Sequence, residues 1–204
     1  MRNFPPSIRG FTLVELMVAL TITGILGAIA IPSFVSAVRN SRLTAATNQL
    51  IGSLNFARSE SIKRGQIVVV RKSSTNWEDG WQVFVDIDRS PNSHANVYND
   101  NGDSNACEAT EDCLLRIYEP LPTNFTLRGN NFSNFINFSP SGESNTNGSF
   151  AICDNSDGNG LPESNTSRLI IINSIGRIRL GKDNNNDGIP EKNDGTPLSS
   201  CIAP

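Results

Sequence analysis

From Phe11 to Ile31 the chain reads FTLVELMVALTITGILGAIAI, an apolar run whose sole charge is Glu15. As a helix this run spans roughly 31 Å, the thickness of one bilayer core. Arg2 and Arg9 precede it, and the positive-inside tendency keeps such a leader in the cytoplasm while the rest is sent outward. The run thus fixes a single-pass anchor at one end and leaves the remainder to fold on the far side. A secretory signal peptide is the simplest alternative, with Ala28-Ile29-Ala30 imitating its cleavage site. Glu15 argues against it. A carboxylate in an apolar helix costs about 2.5 kcal/mol or more near the bilayer centre, less near the end, so a functional partner for it is expected.

Beyond Pro32, which is expected to kink the helix rather than end it, Leu43, Ala46, Leu50, Leu54 and Ala57 recur at helical spacing and give one apolar stripe. Arg39, Arg42, Arg58 and Lys63 lie on the opposite face. Lys63 and Arg64 followed by Gly65 form a C-terminal stop signal. Strand patterns follow at 66–71, 81–86, 114–118, 135–138, 150–153, 168–172 and 177–180, the last two joined by a turn at Asn173-Ser174-Ile175-Gly176. Polar loops are expected at about 87–112 and 139–148. The fold class is α+β, one long N-terminal helix packed on antiparallel sheets.

Cys107, Cys113, Cys153 and Cys201 all follow the anchor, which suits an oxidising compartment, and their spacing matches neither a redox pair nor zinc knuckles. Three pairings are possible; Cys107 with Cys113 and Cys153 with Cys201 are the expected ones. With a net charge of −3 the whole chain does not resemble a nucleic-acid binder, so any such role must be local. One histidine, no P-loop, no nucleophile elbow and no carboxylate pair on a predictable scaffold leave an enzyme unsupported.

Arg9-Gly10-Phe11-Thr12-Leu13-Val14-Glu15-Leu16 resembles the cleavage motif of type IV prepilins. The resemblance implies that a prepilin peptidase cuts after Gly10 and methylates the new amine of Phe11. It also implies that Glu15 neutralises the N-terminus of a neighbouring subunit in a filament core, a pairing that offsets burial of either charge. The implied organisation is a leader at 1–10, a transmembrane and filament-core helix at 11–31, an amphipathic helical half at 32–65 and a β-rich head at 66–204. Such a protein sits in the bacterial inner membrane with its head in the periplasm, and outside the cell once assembled with other major and minor pilins.

Ala57 to Gly65 (ARSESIKRG) and Trp77 to Asp86 (WEDGWQVFVD) further resemble the GspH/FimT group of minor pilins and pseudopilins. Without chemistry of their own, Arg58 and Glu60 read as solvent-facing charges and Trp77 and Trp81 as core or sheet-edge aromatics. Gly176-Arg177-Ile178-Arg179 matches the GRxR motif that FimT-type pilins associate with DNA binding in natural transformation. In a strand, Arg177 and Arg179 share one face and Ile178 takes the other. From Ser164 to Lys182 the cations Arg168, Arg177, Arg179 and Lys182 meet no acid, a patch that would contact phosphates without reading sequence. Aromatic interleaving is lacking, which favours duplex backbone over single strands. A solvated basic sheet face is the simpler account of the same residues. So is a GspH-like pseudopilin of a type II secretion system that binds no DNA.

Asp183, Asn185 and Asp187 before Gly188 fit the first half of a calcium loop, with Glu191 and Asp194 as later ligands. Asp194 stands where a bidentate Glu is usual, and Pro190 and Pro197 leave no flanking helix. An Asx-rich turn explains these residues equally, and no other cofactor is expected.

Overall fold

The computed structural model describes residues 10–90, 92–100, 102, 107 and 111–204. The leader residues 1–9, with Arg2 and Arg9, lie outside that set, as do Pro91 and parts of the 101–110 stretch. One helix, α1 (Leu13–Arg64), runs unbroken through Pro32. The chain divides after Arg39 into two compact units.

In the first unit Thr12 and Glu15 cap the helix reciprocally. The Thr12 hydroxyl oxygen accepts the Glu15 N–H at 3.2 Å, and the Glu15 carboxylate accepts the Thr12 N–H at 2.9 Å and its hydroxyl at 2.8 Å. Apolar side chains from Phe11 to Phe34 stand exposed. Among the described residues, α1 is the one helix long and apolar enough to cross a membrane.

The second unit begins at Asn40. The α1 stripe Leu43, Ala46, Leu50, Leu54 and Ala57 is buried. Gly65 ends the helix at φ 64°, with the Gln66 N–H reaching back to Ser61 O at 3.3 Å. A residue with a side chain adopts that left-handed conformation only at a cost, which is why glycine follows the last turn.

Two four-stranded antiparallel sheets complete the unit. The first comprises β1 (Val68–Lys72), β2 (Trp81–Val85), β3 (Cys113–Tyr118) and β5 (Phe135–Phe138) in the order β3-β2-β1-β5. The second comprises β4 (Phe125–Asn130), β6 (Gly148–Asp154), β7 (Ser167–Ile172) and β8 (Ile178–Leu180) in the order β4-β6-β7-β8. The α1 stripe, Val68, Val70, Val83 and Val85 of the first sheet, and Phe150, Ile152, Ile170 and Ile172 of the second form one core. Alternation puts Ala151, Cys153, Leu169 and Ile171 on the outer face of the second sheet, where Leu198 and Cys201 of the C-terminal segment cover them.

Both tryptophans are core residues with satisfied N–H groups. Trp77 Nε1 donates to Phe132 O at 2.8 Å, and Trp81 Nε1 to the Ser53 hydroxyl at 3.0 Å. The β4 strand is one that the sequence pattern did not announce. Only Phe125 and Leu127 of it are buried, and Arg128 and Gly129 break the apolar alternation. Arg128 is held by the Glu78 carboxylate.

Candidate nucleic-acid interface

The basic hairpin is built on a clamped turn. Asn173 opens it: its backbone N–H donates to Arg177 O at 3.2 Å, and its side-chain oxygen accepts the Arg177 N–H at 2.8 Å. From α1, Arg58 donates through Nε to Gly142 O at 2.9 Å and through Nη2 to Ile175 O at 3.2 Å. The Ser144 N–H donates to Ser174 O at 2.9 Å, and the Ser174 N–H to the Asn147 side chain. Arg58 is therefore half-buried and ties two loops to the helix, which corrects its reading as a solvent-facing charge. Gly176 sits where a Cβ would lie 2.0 Å from Gly142 O, at φ 75°. No other residue fits there without moving the neighbouring loop.

That turn launches Arg177 and Arg179 outward. Both are exposed, while Ile178 between them packs against the core. Arg179 lies opposite Ile171, an outer-face residue, and Ile178 opposite Ile172, an inner one. The two arginines line one hollow of about 180 Å³ with Ile171, Asn173 and Asn193. Arg179 donates to the Asn193 side-chain oxygen. Arg177 makes no side-chain hydrogen bond among the described residues.

Two other cations of the sequence patch do not join them. Arg168 precedes Ile170 by two residues in β7, so it lies on the inner face, where its Nη2 donates to the Asn40 side chain at 2.8 Å. Neutral acceptors, Ser167 O and the Asn40 side chain, hold it on the face opposite the arginine pair. Lys182 is exposed beyond β8, where its carbonyl accepts the Glu191 N–H at 2.7 Å.

After Lys182 the chain folds back over the outer face. Asp183 and Asp187 accept backbone N–H groups of their own loop: Gly188 to Asp183 at 2.8 Å and Ile189 to Asp187 at 2.7 Å. The Asn185 side chain donates to Asp187 at 2.9 Å. Glu191 accepts from the Asn184 side chain, and Asp194 accepts the Thr196 N–H at 2.9 Å and its hydroxyl at 2.6 Å. Those two bonds hold the Asp194 carboxyl below the usual carboxylate range. Among the described residues no three acids, histidines or cysteines converge to hold a metal ion. Asp187 and Asp194 each close an Asx turn by accepting the N–H two residues on. Disulfides join Cys153 to Cys201, across 48 residues, and Cys107 to Cys113, across 6.

A long N-terminal helix laid on antiparallel sheets is the architecture of a type IV pilin-like subunit, and it shares its fold with a solved minor pilin. Over 79% of this chain and 96% of the other, it superposes on the type IV minor pilin FimU of Pseudomonas aeruginosa with a TM-score of 0.52 at 19% identity. Residues 46–176 match the family described as type II transport protein GspH, and residues 6–31 match the prokaryotic N-terminal methylation motif. The chain belongs to the GspH family. A fimbrial protein of Pseudomonas aeruginosa is 33% identical over 97 residues, which are 47% of this chain and 62% of that protein. The chain thus spans less than two thirds of that relative. The type IV major pilin protein PilA of Myxococcus xanthus is 49% identical over 48 residues, covering 24% of this chain and 22% of PilA.

Proposed function

We propose that the chain is a FimT-like minor pilin that captures extracellular DNA through Arg177 and Arg179, for uptake in natural transformation. The observation that carries this reading is that both side chains stand exposed on one sheet face, clear of the core-packed Ile178 and anchored by a clamped turn. Residues two apart in extended chain are about 6.6 Å apart, and a DNA strand presents a phosphate every ~3.4 Å of axis. Because the strand also winds around that axis, neighbouring phosphates lie farther apart than the rise alone, and two arginines so placed reach adjacent phosphates of one strand, a contact that positions without reading bases. Arg168 has left the patch for the inner face, which reduces the site to the arginine pair with Lys182 at its margin.

In the same reading prepilin peptidase cuts between Gly10 and Phe11 at the inner membrane. Residues 11–31 pass into the filament core, 32–65 form its amphipathic extension, and 66–204 form the displayed head. Glu15 then meets the N-terminal amine of an adjacent pilin. The test of the DNA role is a fluorescence-anisotropy titration of the full chain in detergent against duplex DNA. Replacing both arginines with Gln should weaken binding at least tenfold; unchanged affinity would remove the site.

A second reading has one observation in its favour. The matched family is described by a type II transport protein, and the Arg58 clamp gives Gly176 a structural purpose that owes nothing to DNA. On that reading the head meets other pseudopilins and the arginine variant alters secretion, with no effect on DNA uptake.

A further inference from the structure

The hollow beside Arg177 and Arg179 does not end at the hairpin. It adjoins a second hollow of about 240 Å³ whose lining includes Leu169, Ile171, Lys192, Asn193 and Asp194. Ile171 and Asn193 belong to both, so one furrow runs over the outer face of the second sheet from the arginines to the C-terminal segment. Its far wall is amide-rich, with Asn130 and Asn147. Side-chain amides are, like arginine and lysine, common donors to phosphate oxygens.

The segment that closes this furrow is rigidly placed. The Lys192 N–H donates to Thr196 O at 2.8 Å, the Gly195 N–H to Lys192 O at 3.3 Å, and Glu191 bridges to Pro197, which makes 192–196 the tip of a small hairpin. Leu198 is buried against Leu169 and Ile171, and Cys201 is bonded to Cys153 in β6. Lys192 makes no side-chain hydrogen bond among the described residues; it lines the furrow, and the acid that feels its charge is Asp194 two residues on. Asp194 sits in the same wall, its carboxylate turned onto Thr196.

We propose that the disulfide-held turn at Lys192–Asp194 is the second wall of the DNA site, in which Lys192 contacts a phosphate that the arginine pair does not reach and Asp194 limits the affinity. This rests on the reading of Arg177 and Arg179 as a DNA site and adds to it a partner segment and a restraining charge. A fixed wall binds better than a free tail because it loses no chain entropy when the backbone docks.

The test is an anisotropy titration of the full chain in detergent against a fluorescent duplex of arbitrary sequence, repeated over a range of salt. Lys192→Gln is expected to weaken binding about three- to tenfold and to flatten the slope of log affinity against log salt by about 1. Asp194→Asn is expected to strengthen binding by a similar factor. Circular dichroism and the thermal midpoint check that each variant keeps its fold. Loss of binding in the Arg177→Gln, Arg179→Gln variant, with both tail variants at wild-type affinity and slope, overturns this inference and leaves the arginine reading standing. Wild-type binding by the arginine variant overturns both.

Discussion

Arg58 shows how far a charged side chain can be from the surface role its type suggests. Its guanidinium bonds two carbonyls from separate loops, and hydrogen bonds to charged donors are worth about 1.5–3 kcal/mol when partly buried. Arg58→Ala should therefore destabilise the head by about 2 kcal/mol in urea denaturation and loosen the turn before Arg177. Lysine, which cannot offer two donors in a fixed fork, should restore little of it. A loss below about 0.5 kcal/mol would mean that the clamp is decorative. Asp86 makes a different prediction. Its carboxylate is buried, with Oδ2 held by the Asn96 N–H at 3.0 Å and by Arg89, and with Oδ1 unpartnered. Burial pushes its pKa above the ordinary 3.8. The folded state then holds the proton more tightly than the unfolded chain does. The stability this gives is complete below pH 3.8 and is lost as pH rises through the folded pKa. Asp86→Asn keeps an acceptor for Asn96 and removes the titration. Relative to wild type, the variant should gain stability as pH rises from below 3.8 through the folded pKa of Asp86, and urea midpoints in acid and at neutral pH check the sign.

At the scale of elements, the C-terminal segment is held by packing and by a covalent bond, and the two disulfides differ in what they restrain. The Cys153–Cys201 loop spans 48 residues and the Cys107–Cys113 loop 6. Chain entropy assigns them about 4 and about 2 kcal/mol respectively. Cys153→Ala with Cys201→Ala should accordingly lower stability more than the other pair does, and protease should then cut first between Lys182 and Cys201; equal losses from both pairs would contradict the loop-length account. The long helix, its stop at Gly65 and its apolar stripe were legible because each follows a short-range rule: spacing of 3–4 residues, last-turn cations and a glycine. The same held for the strands with unbroken β-branched runs, such as Val68–Val70 and Ile170–Ile172. β4 was not legible, because Arg128 and Gly129 answer to contacts with Glu78 and the Phe132 backbone that lie far along the chain or depend on a turn. The basic patch was half legible. Period-two alternation put Arg177 and Arg179 together, whereas the even spacing from Arg168 to Ile170, which sends Arg168 inward, had meaning only once the inner face was known. Lys192 and Asn193 carried no sequence signal at all, since nothing local brings residue 193 to residue 179.

For the whole molecule the governing fact is the mismatch between a sequence pI near 5.2 with a net charge of −3 and a polyanionic ligand. Beyond about one Debye length, roughly 8 Å at physiological salt, the head's average field does not attract DNA. Only the phosphates that reach the furrow are drawn in. Two or three ion contacts release about as many counterions, so the slope of log affinity against log salt should lie near −2 to −3, far from the steep slopes of proteins that coat a duplex. The Arg177→Gln, Arg179→Gln variant should flatten it by about 2. A site this small binds weakly in isolation, about 10⁻⁴–10⁻⁶ M at physiological salt as for other non-specific contacts. Useful capture then requires several sites at once. Copies spaced along one filament supply them, because a duplex bound at one head meets the next at high effective concentration. Purified chain in detergent should accordingly show micromolar or weaker affinity that, counted per site, does not change with DNA length, while pili carrying the chain should hold long DNA far more tightly per site than short duplexes. If length made no difference on pili, the heads would be acting singly, and the two or three contacts available in each furrow are too few for retention.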